Sequence, residues 1–252
     1  QLARAQALQS PRDVYRVAVL AVVLSGCSFS AQSADRGETP DAGTSGDGTS
    51  FVAGCQVQDP SLRLCLDFED PVLSPIVRDG SPFQHDATTQ NLAAMPRAGE
   101  QAAMFGSSSQ ATIPAAPDFG APTLTLEAWV QTTSIWSSSW ALLDSQHYGL
   151  GIAGGSIVCV IGDKATSSDA TRYSGQWVHV ACTNDGDHLT LYINGDAVDC
   201  SDNGHVKGTG DLAVGVGLDG GIDNVRLFAA ALPAADVCTH AGRTGCAAGC
   251  AE

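Results

Sequence analysis

Trp136 and Trp140 are the residues whose type and spacing most suggest a ligand. They stand in Ser134-Ile135-Trp136-Ser137-Ser138-Ser139-Trp140, a Ser-rich connection. An indole has an apolar body and one polar handle, so it stacks on the apolar face of a pyranose ring while Ser hydroxyls donate hydrogen bonds. The competing reading is two indoles that cover the rim of a fold. Nucleophilic catalysis needs a Ser or Cys beside a base and an orienting group. Six His are available, but the chain has no G-x-S-x-G elbow, and eight of its nine Cys are better explained as cross-links. Glu is confined to Glu38, Glu69, Glu100, Glu127 and Glu252, which leaves few partners for a paired-carboxylate reaction.

The elements that hold these residues read as short strands. Residues 176–198, QWVHVACTNDGDHLTLYINGDAV, contain two apolar runs, 177–182 and 189–193, around Asp185-Gly186. Asp-Gly between β-rich runs is a hairpin signal, because Gly tolerates positive φ. Asn194-Gly195-Asp196 repeats it and folds a third strand, 197–200, onto the second. The result is a three-stranded meander on which the rest must pack. Alternation predicts a first strand over 61–70, and further strands within 107–130 and over 141–143, 148–152, 156–161, 213–217 and 222–228. Residues 162–175 read as a polar loop. Pro233 precedes a helical turn at 234–237. Short strands punctuated by Gly, Asp and Pro give an all-β fold of two stacked antiparallel sheets.

The stretch W-V-H-V-A-C-T-N-D-G-D-H-L-T-L-Y-I-N-G resembles the laminin G-like, concanavalin A-like jelly-roll family. Ala103-Met104-Phe105, Ala111-Thr112-Ile113 and Thr125-Leu126-Glu127-Ala128-Trp129-Val130 are similar to the family's opening strands. Residues 220–228, GGIDNVRLF, with Ala231-Leu232-Pro233, are similar to its closing strand. The resemblance spans 61–237 and implies a concanavalin A-like sandwich, without fixing an activity. The family's glycosidases carry E-x-D-x-x-E or E-x-D-x-E on one strand. This chain has neither, so the resemblance favours a binding module over an enzyme. His179 and Glu127 take structural positions in it, and Trp129 and Trp177 read as core aromatics. Related jelly rolls often hold one ion where first and last strands meet, Asp67, Glu69, Asp79 and Asp223 fall in the matching segments, and calcium is the metal expected there. Calcium needs several such oxygens converging from loops.

Outside that domain, residues 1–26 combine Arg4, Arg12 and Arg16 with the apolar run VAVLAVVL at 17–24. That run is too short to span a bilayer and fits a secretory leader. The ending Leu24-Ser25-Gly26-Cys27 resembles the bacterial lipobox, which implies lipidation of Cys27. Residues 27–54, rich in Ser, Thr, Gly and Asp, read as a flexible tether, and 55–252 as the jelly-roll domain with a Cys-rich tail. A bacterial surface lipoprotein, held to the membrane through its lipid alone and displayed at the outer membrane or cell surface, follows from these expectations.

The remaining eight Cys are Cys55, Cys65, Cys159, Cys182, Cys200, Cys238, Cys246 and Cys250. An even number in an exported chain favours disulfides. The resemblance pairs first and last strands, so the five near the domain ends should cluster. Cys159 with Cys182 is the preferred central bridge, on strands expected to be neighbours. Both groups are odd, so one bridge joins them or each leaves a free thiol. The net charge of −15, from 12 Lys plus Arg against 27 Asp plus Glu, argues against nucleic acid. Carbohydrate is the expected partner, ahead of a surface protein. The alternatives are a structural or adhesive envelope protein and a divergent glycoside hydrolase.

Overall fold

The computed structural model describes residues 55, 59–70, 75–144, 147–202, 204–206 and 209–249. The leader, Cys27, the tether and Cys250 lie outside the described residues. Two antiparallel sheets face each other. Sheet A runs β14 (Asp196–Asp202), β13 (His188–Ile193), β12 (Val178–Asn184), β7 (Leu124–Thr132), β16 (Gly220–Phe228), β5 (Glu100–Phe105) and β4 (Ala93–Arg97). β1 (Leu62–Leu66) also pairs with β16, so the first and last strands meet as expected. Sheet B runs β11 (Lys164–Asp169), β10 (Ser156–Ile161), β9 (Tyr148–Ala153), β8 (Ser139–Asp144), β15 (Leu212–Val216), β6 (Gln110–Ile113), β3 (Ala87–Gln90) and β2 (Ile76–Val77).

The meander forms as its turn residues dictate. Asp185 Oδ1 accepts the backbone N–H groups of Asp187 and His188 at 2.8 and 2.7 Å and closes the first turn. Asn194 and Gly195 have φ of 50° and 83°, the positive pair that a two-residue type I′ hairpin needs. Alternation then sets the faces. Val178, Val180 and Cys182 of β12 join Leu126, Ala128 and Val130 of β7 and Leu150, Ile152 and Ile157 of sheet B in the inter-sheet core. Each such aliphatic side chain contributes roughly 1.5–3 kcal/mol by leaving water.

The Cys159–Cys182 bridge is present, with Cα atoms 6.2 Å apart. Its strands are neighbours across the sandwich rather than within one sheet. Cys159 lies on β10 of sheet B and Cys182 on β12 of sheet A, so the bridge crosses the core. Closing a loop of this size stabilises by about 3 kcal/mol in the chain-entropy account. Cys55–Cys65 and Cys238–Cys246 pair within the terminal group. Cys200 is also disulfide-bonded.

Sheet A carries a second apolar cluster on its outer side. Leu62, Ala181, Tyr192 and Phe228 of the sheet meet Leu232 and Val237, the latter on α1 (Ala234–His240). The predicted single helical turn is thus two turns, which lay a short lid over the sheet.

Three further expectations change. The polar loop 162–175 contains β11, an edge strand that keeps only Thr166 buried. An edge strand pairs on one side and faces water on the other, so it needs little apolar content. The first strand stops at Leu66, before Phe68 at φ 54°. Trp129 and Trp177 are not in the inter-sheet core. Trp129 sits between inward-facing Ala128 and Val130 and so points outward, and both indoles are half-buried.

Candidate functional site

The outer side of sheet B is built from small residues under large ones. Tyr148, Leu150 and Ile152 of β9 point into the core, which turns Gly149 and Gly151 outward. Trp140 is in register with Gly151, and Leu143 with Gly149. The Trp140 ring spreads over the space these glycines leave. A Cβ on Gly149 would stand 2.9 Å from that ring, and one on Gly151 would stand 3.0 Å from it. Gly155 is a third such place, because a Cβ there would lie 2.5 Å from the Trp136 ring. Its φ of 83° belongs to a Gly-Gly turn between β9 and β10, with Gly154 at 58°.

Trp140 is half-buried, while Trp136 is 72% exposed. Val216 is in register with Trp140, Val158 with Gly151, and Val160 and Leu143 with Gly149, and all four are half-buried as well. The strands beneath, β8, β9, β10 and β15, contain a single carboxylate. It belongs to Asp144, which is 1% exposed and pairs with Leu212 and Tyr148, both core residues. No second carboxylate on these strands is placed to act with it, as glycoside hydrolysis requires. A separate recess of about 410 Å³ lies near Tyr173 and Asn194, where Arg243 already binds Asp196 at 2.6 Å.

The outer side of sheet A has the opposite character. Glu127 is 1% exposed and receives Arg226 Nη1 at 2.7 Å and His240 Nδ1 at 3.0 Å. Burial alone would raise its pKa, but the His240 hydrogen bond and the Arg226 charge outweigh that and hold it at about 2. His179 is also 1% exposed, its Nε2 lies 3.7 Å from Glu127, and its ring meets Trp129 edge-on. Burial lowers its pKa to about 4 against the attraction of Glu127, so the imidazole is neutral. Neither of its ring nitrogens has a hydrogen-bond partner. Sealed from solvent, Glu127 ties α1 to the sheet through His240, and the neutral His179 ring packs beside it.

The residues expected to hold calcium are only partly brought together. Glu69, Glu100 and Asp223 offer oxygens within 4.8 Å of one another. Asp67 and Asp79 stand outside that group. Asp79 is a buried turn carboxylate, accepting the backbone N–H groups of Cys65, Ser81 and His85, each at 2.8 Å. The meeting of the three follows from topology. One edge of β16 pairs with β5 through Ile222 and with β1 from Val225 onward. Asp223 and Asn224 fill the gap, Asn224 at φ 51°. Burial raises the Asp223 pKa to about 6, with Arg97 offsetting part of the effect.

Sequence reasoning missed Arg97 and Glu100, which face this gap from a hairpin turned by Ala98 and Gly99 at φ 50° and 92°. Gly99 was the available signal. Pro96, tolerated here because β4 is an edge strand, obscured it. Arg97 is 4% exposed, and its Nε lies 2.5 Å from Asp223 Oδ2. A calcium ion does not fit beside it, because the innermost oxygen of the group is already taken by the guanidinium.

The family description "Concanavalin A-like lectin/glucanases superfamily" matches residues 105–238. No curated protein matches the chain. Among solved structures, the binding domain of Paraclostridial Mosquitocidal Protein 1 is similar at TM-score 0.59 and 14% identity, over 72% of this chain and 52% of that one. Domain 4 of AbnA, a GH43 extracellular arabinanase from Geobacillus stearothermophilus, was solved in complex with arabinotriose. It is similar at TM-score 0.58 and 16% identity, over 72% of this chain and 98% of that one. The binding domain of Botulinum Neurotoxin DC in complex with SialylT is similar at TM-score 0.55 and 14% identity, over 71% and 50%. The chain therefore spans about half the length of the toxin domains and nearly all of the arabinanase domain. With more than half of its residues matched and its strands arranged as two facing antiparallel sheets, the chain belongs to the concanavalin A-like lectin/glucanases superfamily.

Proposed function

We propose that this chain is a non-catalytic carbohydrate-binding module, displayed at the bacterial cell surface on a tether anchored by a lipid on Cys27. The observation that carries the reading is the Trp140 ring laid over Gly149 and Gly151, with the exposed Trp136 ring over Gly155 at the β9–β10 turn. A side chain at 149 would lift the indole off the sheet, and one at 151 would meet the Ser139 carbonyl oxygen before it met the ring. Their absence leaves a flat aromatic surface on rigid strands, which suits stacking on a sugar ring. The sparsity of carboxylates beneath it supports binding without hydrolysis. Arabinotriose in the arabinanase domain, which has the same fold over nearly its whole length, supports a saccharide over other small ligands.

A shallow face buries little of a soluble sugar, so a single site should bind in the millimolar to micromolar range, ~4–8 kcal/mol. A glycan array, followed by titration of Trp fluorescence with each hit, tests the reading. Saturable quenching by a saccharide is the expected result. The apolar flank of Leu143, Val158, Val160 and Val216 favours a second reading, a surface-protein partner. An array without hits would turn the assignment that way. The anchor is tested separately. Cys27→Ser should move the protein from the membrane fraction to the soluble fraction, and continued membrane retention would contradict lipidation.

A further inference from the structure

The family resemblance implies a divalent ion where the first and last strands meet, and at the gap in β16 the Arg97 side chain reaches two of the carboxylates that would hold it. Calcium takes six to eight oxygens and carries two charges. The group of Glu69, Glu100 and Asp223 presents three carboxylates. Arg97 reaches two of these carboxylates at once, through Nε to Asp223 at 2.5 Å and Nη2 to Glu100 at 3.2 Å. Asp223 Oδ1 is used as well, accepting the Asn224 backbone N–H at 2.8 Å. Glu69 stands at the solvent edge and accepts the Gln101 backbone N–H at 3.3 Å.

The guanidinium is held on its faces too. Its central carbon lies 4.7 Å from the Trp129 ring centroid and 5.7 Å from that of Trp177. Such contacts favour a cation, the more so when water is excluded. An arginine gripped by two carboxylates and two indoles is a fixed structural charge, unlike an exposed ion pair that exchanges with solvent. We infer that Arg97 is the resident cation of this junction: it closes the gap in β16 without a divalent ion, and loss of its charge uncovers a metal site.

Terbium reads the point directly, since Trp129 and Trp177 can sensitise its emission. The wild-type chain should show no stoichiometric, calcium-competed terbium signal. Its melting temperature should be the same in EDTA and in millimolar calcium. Arg97→Gln should gain a saturable terbium signal that calcium displaces, and Arg97→Gln combined with Glu100→Gln should lose it. If Arg97→Gln folds only when calcium is added, that also supports the inference. If it folds in neither condition, the wild-type measurements decide. A stoichiometric wild-type signal abolished by Glu100→Gln would overturn the inference, as would a folded Arg97→Gln that gains none.

Discussion

The two outer faces of the sandwich are made from the same kind of strand and have opposite fates. Sheet A turns Glu127, His179, Asp223, Arg226 and two indoles outward, then covers most of them. α1 brings His240 to Glu127, and β4 brings Arg97 to Asp223. Sheet B turns Gly149, Gly151, Leu143, Val158, Val160 and Trp140 outward, and no helix among the described residues covers them. The difference teaches where to look for function. Polar groups on the covered face are mostly committed to one another, and a buried charge without its partner is expensive. The open face holds aromatic and aliphatic surface, which is free to meet a ligand.

The largest break should come from the covered face. Glu127→Ala leaves Arg226 buried without the carboxylate and frees His240, so it should destabilise by about 3–5 kcal/mol. Urea unfolding measures this. Ligand binding, referred to the folded fraction, should stay unchanged, because Glu127 lies on the opposite side of the core.

How far these faces were legible in the sequence follows from what each depends on. The meander was readable because Asp185-Gly186 and Asn194-Gly195 specify their turns locally. The β1–β16 closure was readable only through the family resemblance. β11 was missed because an edge strand with one buried residue carries no apolar period. Trp136 and Trp140 were visible as unusual residues, but the glycines beneath Trp140 acquire meaning only once register puts them there. Arg97 and Glu100 reach Asp223 from 126 and 123 positions away, and no local pattern reports a pairing that a split strand creates.

Acid should act on the covered face with opposing signs. His179, at about 4 when folded against about 6.5 when unfolded, gives stability that is complete above pH 6.5 and lost as pH falls toward 4. That term is worth roughly 3 kcal/mol at its limit. Asp223, at about 6 when folded against 3.8, works the other way and regains stability as pH falls from 6 toward 3.8. The two should nearly cancel between pH 6.5 and 4. Below pH 4.5 the loss from Glu127, held at about 2, should take over. His179→Gln should therefore become more stable as pH falls from 6.5 to 4.5, where the wild type is flat. Melting curves across that range check the sign.

The smallest stability effect should accompany a clear binding effect on the open face. Gly149→Ala puts a Cβ 2.9 Å from the Trp140 ring, the movable end of a side chain. A strand tolerates Ala at least as well as Gly, so the stability change should stay within about 1 kcal/mol. The displaced indole should nonetheless weaken saccharide binding. Retained affinity with a visibly shifted Trp140 would argue against stacking at that ring.

The most direct test of the account is Trp136→Ala with Trp140→Ala, comparing thermal melts and glycan binding with the wild type. If the indoles are a platform, binding is abolished while the melting temperature changes little, because the inter-sheet core is untouched. A large fall in melting temperature together with an unaltered glycan profile would contradict it, and would make both indoles rim-packing residues.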